Sequence, residues 1–77
     1  MVQAYILIQT EVGKAAEVAR LIRDIDGVEK AHDVTGPYDV IVQAGADDID
    51  ALGALVVARI QRLSGIARTL TCPIVNI

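Results

Sequence analysis

Asp39 is the residue of this 77-residue chain that is best placed for binding chemistry. It follows a Gly36-Pro37 turn and opens a run of β-branched residues, so the segment is predicted to be a turn that leads into a strand. Alternation along this strand sends Asp39 and Ile41 to one face of the sheet and Tyr38 to the other. A carboxylate on a partly apolar face needs a partner, either from the protein or from a ligand.

Two kinds of partner fit this carboxylate. One is an arginine, either Arg68 or an arginine of another subunit, which would form a salt bridge with Asp39. The other is the ammonium group of a small zwitterion. In that case Gly36 offers unobstructed backbone, and the hydroxyls of Thr69 and Thr71, adjacent on one face of a strand, bind the carboxylate of the ligand.

The other reactive residue types are isolated. His32 lies on a polar strand beside Asp33, whose side chain points to the opposite face, and is predicted to be an ordinary surface residue. Cys72 is predicted to be a small buried hydrophobic residue, because nothing adjacent would lower its pKa. With one histidine and one cysteine in the chain, neither a zinc site nor an intrachain disulfide is expected. We predict no catalytic residues, metal or cofactor.

Charge and length limit the possible partners. The net charge is −3 and the chain has no phenylalanine or tryptophan, which argues against direct binding of nucleic acid. No signal peptide is evident, and the longest apolar run, Ala51–Ala58, is too short to span a bilayer, so we expect a cytoplasmic protein. Residues 1–77 are predicted to form a single domain. A core this small is marginal alone, so a homo-oligomer is expected.

The chain alternates between two hydrophobic periods. Apolar residues recur at every second position in four segments, which predicts strands, and at every third or fourth position in two segments, which predicts helices. The predicted elements are, in order, strand Val2–Gln9, helix Lys14–Ile25, strand Val28–Thr35, strand Tyr38–Ala44, a helix capped by Asp47 or Asp48 and running to Leu63, and strand Ile66–Ile77.

The two halves of the chain resemble each other. A shift of 38 positions places Ile22 on Ile60 and Gly27 on Gly65, so each half has the order strand, helix, glycine, strand. The βαββαβ order predicts an α+β fold with a ferredoxin-like four-stranded antiparallel sheet. Right-handed crossovers place strands 1 and 3 at the centre and strands 2 and 4 at the edges.

Both helices are expected on one face of this sheet. The other face mixes polar residues with an apolar set and would be buried best against a second sheet, as in a dimeric α/β barrel. The second helix carries no charge between Ala51 and Ala58, which predicts a further subunit contact. The apolar residues expected on the face opposite the helices are Tyr5, Leu7, Ala31, Ile41 and Val75.

Two segments resemble the signature of the Lrp/AsnC effector domain, also called RAM for regulation of amino-acid metabolism. The first is Val34-x-Gly36-x-Tyr38-Asp39 followed by an apolar strand. The second is Leu63-Ser64-Gly65-Ile66-x-x-Thr69-x-Thr71, where the family more often has proline after the leucine. Position by position, the resemblance implies as ligand-binding candidates Val34, Gly36, Tyr38, Asp39, Thr69 and Thr71.

The resemblance also implies an assembly. Dimers would form through their sheets and join into rings, commonly octamers, with amino-acid effectors bound between dimers near the glycine-tyrosine-aspartate turn. Regulators of this family carry an N-terminal helix-turn-helix domain, whereas Met1 here directly precedes the first strand. The chain therefore resembles the stand-alone members, for which we expect no DNA binding of their own and co-assembly with a full-length regulator.

The leading hypothesis is a non-catalytic module that binds an amino acid, oligomerises and serves transcriptional regulation of metabolism. A small dimeric α/β-barrel enzyme, such as an isomerase or a cofactor-free oxygenase, is the alternative, although the clustered His, Trp or Arg residues for such chemistry are missing. A purely structural assembly module is the third hypothesis.

Overall fold

The chain folds in the order strand, helix, strand, strand, helix, strand, and the computed structural model describes residues 1–75. This order confirms the predicted βαββαβ pattern. The last strand was expected to reach Ile77 but ends earlier, and Asn76 and Ile77 lie outside the described residues. The elements are β1 (Val2–Thr10), α1 (Ala15–Arg23), β2 (Val28–Asp33), β3 (Val40–Ala46), α2 (Ile49–Leu55) continued by a π-helical segment (Val56–Ile60), and β4 (Ile66–Pro73).

The four strands form one antiparallel sheet in the order β2-β3-β1-β4, which confirms the predicted positions of the central and edge strands. In the register, Ile6 of β1 lies between Val42 of β3 and Thr71 of β4. The helices remove the middle of one face of the two central strands from solvent. The residues on this inner face with no exposed surface are Ala4, Ile6, Ile8, Val40, Val42 and Ala44.

The helices contribute the other half of the core. Helix α1 buries Val18, Ala19 and Ile22, and α2 with its π-helical segment buries Leu52, Val56 and Ile60. The first turn of α2 is capped by Asp48, whose Oδ1 accepts the N–H of Ala51 at 2.7 Å. Of the two predicted capping residues, Asp47 and Asp48, the second is therefore confirmed. The π-helical turn is closed by the Gln61 N–H on the Val56 carbonyl at 2.8 Å.

The internal repeat extends to polar contacts. Arg23 Nε donates to the carbonyl of Ala31 at 2.8 Å, and Gln61 Nε2 donates to Thr69 Oγ1 at 2.7 Å. The two donor residues are 38 positions apart in the sequence, and so are the two acceptor residues, as in the internal repeat. In each half, the end of the helical segment is therefore tied to the edge strand that follows it.

The sheet face opposite the helices, called the outer face below, retains exposed apolar side chains. Tyr5 is 44% exposed and Leu70 is 48% exposed, and Leu7 between Ile41 and Leu70 is half-buried. Neighbouring strands thus present a continuous apolar strip on this face, which confirms the prediction for Tyr5, Leu7 and Ile41; Val75, also predicted there, lies beyond the end of β4.

The exception is Ala31, for which the predicted face was wrong. Val28 pairs with Ala44 and Lys30 pairs with Gln43, so Glu29 is an extra residue in β2 and forms a bulge. The extra residue reverses the alternation. Ala31 consequently lies opposite Val42 on the inner face, where it is 1% exposed.

Gly27 is a position where only glycine is expected to be tolerated. Its φ is +96°, and a Cβ there would lie 3.0 Å from the carbonyl oxygen of Gly45. Gly27→Ala should therefore lower the free energy of unfolding by about 1–3 kcal/mol, measured by urea denaturation at fixed protein concentration. Gly53→Ala is the matched control, because a Cβ on this helical glycine meets nothing within 4 Å; it should raise stability by up to about 1 kcal/mol. Equal effects at the two positions would contradict this assignment.

Candidate functional site

The loop that joins β2 to β3, residues 34–39, contains four of the six predicted binding residues. Its neck is closed by the N–H of Val34, which donates to the carbonyl of Asp39 at 2.8 Å. Gly36 at the tip has φ +148°, a value that L side chains rarely adopt, and a Cβ built there meets no atom within 4 Å. The backbone around Gly36 is therefore open to approach. Tyr38 is half-buried and Val34 is exposed.

Asp39 is bound to the end of β1 through both its backbone and its side chain. Its N–H donates to the carbonyl of Ile8 at 2.8 Å, and its Oδ2 accepts the N–H of Thr10 at 2.8 Å. The backbone register of β1 with β3 ends at the pair Ile8 and Val40. Thr10 has the next N–H of β1 that points toward β3, and the carboxylate of Asp39 accepts it in place of a backbone carbonyl.

This contact identifies the partner that the carboxylate was expected to need. The salt bridge from Asp39 to Arg68 is not formed; within residues 1–75 the ion pair is Lys14 with Glu17. Arg68 is opposite Gln9 on β4, and β1 therefore lies between Arg68 and Asp39. An arginine from another subunit remains a prediction.

The charge of Asp39 has no cationic neighbour in the described part of the chain. Oδ2 is hydrogen bonded to an uncharged amide, and no donor from residues 1–75 reaches Oδ1. Asp39 is half-buried, so water screens its charge incompletely. One carboxylate oxygen is thus held rigidly by the protein, and the other is available to a cationic donor such as an ammonium group.

Gln9 and Thr10 belong to this arrangement, although residue-by-residue reasoning missed them. Gln9 Nε2 donates to the carbonyl of Pro37 at 3.1 Å, and Thr10 supplies the amide for Asp39. The antiparallel pairing of β1 with β3 was the available signal, because it places the last residues of β1 beside the first residues of β3.

Thr69 and Thr71 lie elsewhere on the molecule. They pair with Ile8 and Ile6 and face the helices, and Thr69 Oγ1 already accepts a hydrogen bond from Gln61. Because β1 separates β4 from β3, these threonines are about two strand spacings, roughly 10 Å, from the start of β3. They line an open groove of about 360 Å³, whose other walls are Ile49, Leu52, Gly53, Val56, Val57, Gln61 and Pro73.

The predictions for His32 and Cys72 have different outcomes. His32 is exposed on the outer face opposite Ile41, which confirms it as a surface residue. The prediction that Cys72 is buried was wrong. Cys72 pairs with Tyr5 on an edge strand and points away from the helices, so nothing covers it within the described chain.

Residues 1–75 hold no group of three or more His, Cys, Asp or Glu side chains arranged to bind a metal ion. Over the same range, no helix is long and apolar enough to cross a membrane.

Comparison with known proteins gives a family. The model of the Lrp/AsnC ligand binding domain matches residues 3–77, nearly the whole chain. The chain is also 31% identical over 55 residues to the uncharacterized HTH-type transcriptional regulator PF0250 of Pyrococcus furiosus. That alignment covers 71% of this chain and 37% of the regulator, so the chain spans little more than a third of this relative.

Solved structures share the fold. The hypothetical protein PHS023 from Pyrococcus horikoshii has a TM-score of 0.91 and 31% identity, over 100% of this chain and 93% of that one. The transcriptional regulator NMB0573 of Neisseria meningitidis, solved as an L-Met complex, has a TM-score of 0.85 and covers 97% of this chain and 50% of its own. At 22% identity, the second likeness concerns the fold.

The hydrogen bond from Thr10 to Asp39 predicts different effects for two substitutions. Asp39→Ala removes the acceptor and should lower the free energy of unfolding by roughly 1–2 kcal/mol in urea denaturation at fixed protein concentration. Asp39→Asn retains an amide oxygen that can accept the same N–H. It should therefore lower the free energy of unfolding by less than half as much as Asp39→Ala. Asp33→Ala, at an exposed position at the end of β2, serves as the control. If Asp39→Ala were no more destabilising than Asp33→Ala, the carboxylate would have no part in holding the sheet end.

Proposed function

Because the chain belongs to the Lrp/AsnC ligand-binding domain family, we propose that it is a self-associating module that binds a free amino acid and takes part in transcriptional regulation. The observation that carries the proposal is the arrangement of Asp39. In a domain of this family, a carboxylate with one unoccupied oxygen and no cationic neighbour within residues 1–75 lies beside an open glycine loop.

The ammonium group of an amino acid suits this position. It carries a positive charge and three donors, so it can bind Oδ1 of Asp39 while Oδ2 stays on Thr10. The open backbone at Gly36 leaves room for the Cα of the ligand to approach. Half-burial of Asp39 strengthens this ion pair relative to one on a fully exposed surface.

The carboxylate of the ligand requires a second set of donors. Thr69 and Thr71 were expected to supply it, but one copy of the chain keeps them on the far side of β1 from Asp39. We therefore place the loop of one copy and the threonine-bearing strand of another around the same ligand. The L-Met complex of NMB0573, which shares the fold, supports an amino acid as the ligand class.

Two surfaces support self-association. The outer face exposes Tyr5 and Leu70, and stacking two such faces would form the dimeric α/β barrel. Val57 in the π-helical segment is 62% exposed on a helix without charges from Ala51 to Ala58. We assign the helix surface to contacts between dimers, which would extend the assembly toward a ring such as an octamer.

The link to transcription rests on the relatives. PF0250 is named as a helix-turn-helix regulator, and this chain corresponds to little more than a third of it. We propose that the chain acts on transcription by co-assembling with such a regulator. The net charge of −3 disfavours direct contact between this chain and DNA.

A thermal-unfolding screen against the standard amino acids tests the ligand proposal. An amino acid present at about one hundred times its Kd adds about 2.7 kcal/mol, which should raise the midpoint by roughly 10 °C, and by less if an oligomer unfolds as one unit. Asp39→Asn should abolish the shift while retaining the Thr10 hydrogen bond. Betaine, which lacks ammonium protons, is the control ligand. A screen without any shift, or a shift unchanged in Asp39→Asn, would rule out this site.

Sedimentation velocity tests the outer face as the association surface. Leu70→Lys places a charge in the apolar strip of that face in both copies of a dimer, and should weaken dimerisation by about 100-fold or more. Val12→Lys makes the same kind of change at a fully exposed position in the turn after β1, and should leave the association unchanged. A Leu70→Lys protein with the wild-type association constant would require a different interface.

A further inference from the structure

We propose that Gln9 is a positioning residue of the amino-acid site, because its side-chain amide orients the loop that presents Gly36, Tyr38 and Asp39. The inference rests on the proposed function and extends it to a residue outside the loop. Gln9 is in β1, is half-buried, and lies 28 positions from the residue it contacts. It therefore acts from the end of a central strand on the loop that joins β2 to β3.

Gln9 makes the contact that ties the tip of the loop to the sheet. The neck is closed by Val34 and Asp39, and Asp39 is anchored on β1 by its own N–H and its Oδ2. Between these anchors, the hydrogen bond to the carbonyl of Pro37, at 3.1 Å, is the tie that residues 1–75 provide. Without it, the tip would be connected to the sheet only through its two ends.

Fixing the carbonyl of Pro37 also fixes the next amide. A trans peptide is planar, and its C=O and N–H point in opposite directions. All peptide bonds described here are trans. With the Pro37 carbonyl directed at Gln9, the N–H of Tyr38 points away from Gln9, and no acceptor within residues 1–75 takes it.

Gln9 therefore sets the direction of a free backbone donor next to Asp39. A carbonyl or carboxylate oxygen of a ligand bound by its ammonium group to Asp39 would be the complementary acceptor for the Tyr38 N–H. Losing the Gln9 amide would let the Pro37–Tyr38 peptide rotate, so that the donor and the carboxylate no longer point at one ligand together. The cost would appear in affinity, because preorganised loops bind with less loss of freedom.

A purely stabilising role predicts something different. The hydrogen bond from Gln9 is solvent-accessible, so its net contribution to folding is small. Gln9 lies on the outer face with Gln43, which is also half-buried and is opposite Tyr5. Gln43 lies in the middle of β3 rather than beside the loop, and this makes it a matched control.

The test compares Gln9→Met with Gln43→Met, each of which replaces an amide with a thioether of similar length. The probe is the free amino acid that gives the largest midpoint shift in the wild-type thermal screen, titrated by calorimetry. Gln9→Met should raise its Kd about tenfold relative to Gln43→Met, with the same unfolding midpoint without ligand in the two variants. Both residues lie on the outer face, so any effect of a methionine on dimerisation is common to the two variants, and Gln43→Met should keep the wild-type Kd. Equal Kd values for the two variants, or a Kd change matched by a loss of stability, would overturn the inference.

Amide hydrogen exchange provides a readout that needs no ligand. In Gln9→Met the N–H groups of Val34 and Asp39 should exchange faster than in wild type, while the N–H of Ile6 in the core keeps its rate. If the wild type binds no amino acid, the proposed function fails. These exchange rates then decide alone whether Gln9 holds the conformation of the loop. Unchanged exchange at Val34 and Asp39 would overturn the role of Gln9 regardless of any ligand result.

Discussion

Two helices can cover one face of a four-stranded sheet, and this constraint determines most of the molecule. In the middle of β1 and β3 the inner face is apolar and has no exposed surface, because α1 and α2 cover it. Nothing in the described chain remains to cover the outer face, which nevertheless carries Tyr5, Leu7 and Leu70. The second copy of the proposed dimer would cover this outer face.

Asp39 has a structural role at one end of the sheet and, in the proposed function, a chemical role as well. A backbone carbonyl in its place could accept the Thr10 N–H equally well but would bring no charge. The carboxylate satisfies that N–H with one oxygen and leaves the negative charge only partly neutralised. The fold therefore depends on the group that a cationic ligand would bind, and its position is set by the sheet.

The sequence predicted the elements, their order and the inner faces of the central strands, because hydrophobic period is a local property. What it missed depends on pairs of strands. The bulge at Glu29 exists only relative to β3, and it moved Ala31 to the core. Thr69 and Asp39 are related through β1, and neither periodicity nor motif spacing contains that separation. The contacts of Gln9 and Thr10 likewise become visible only once β1 is paired with β3.

The repeated contacts of Arg23 with Ala31 and of Gln61 with Thr69 divide the chain into two equivalent units. The loop of residues 34–39 is the connector between them, and a connector has no counterpart within either unit. Each unit completes its own helix-to-strand contact without this loop. The tip of the loop, residues 35–37, can therefore change in sequence without breaking either contact.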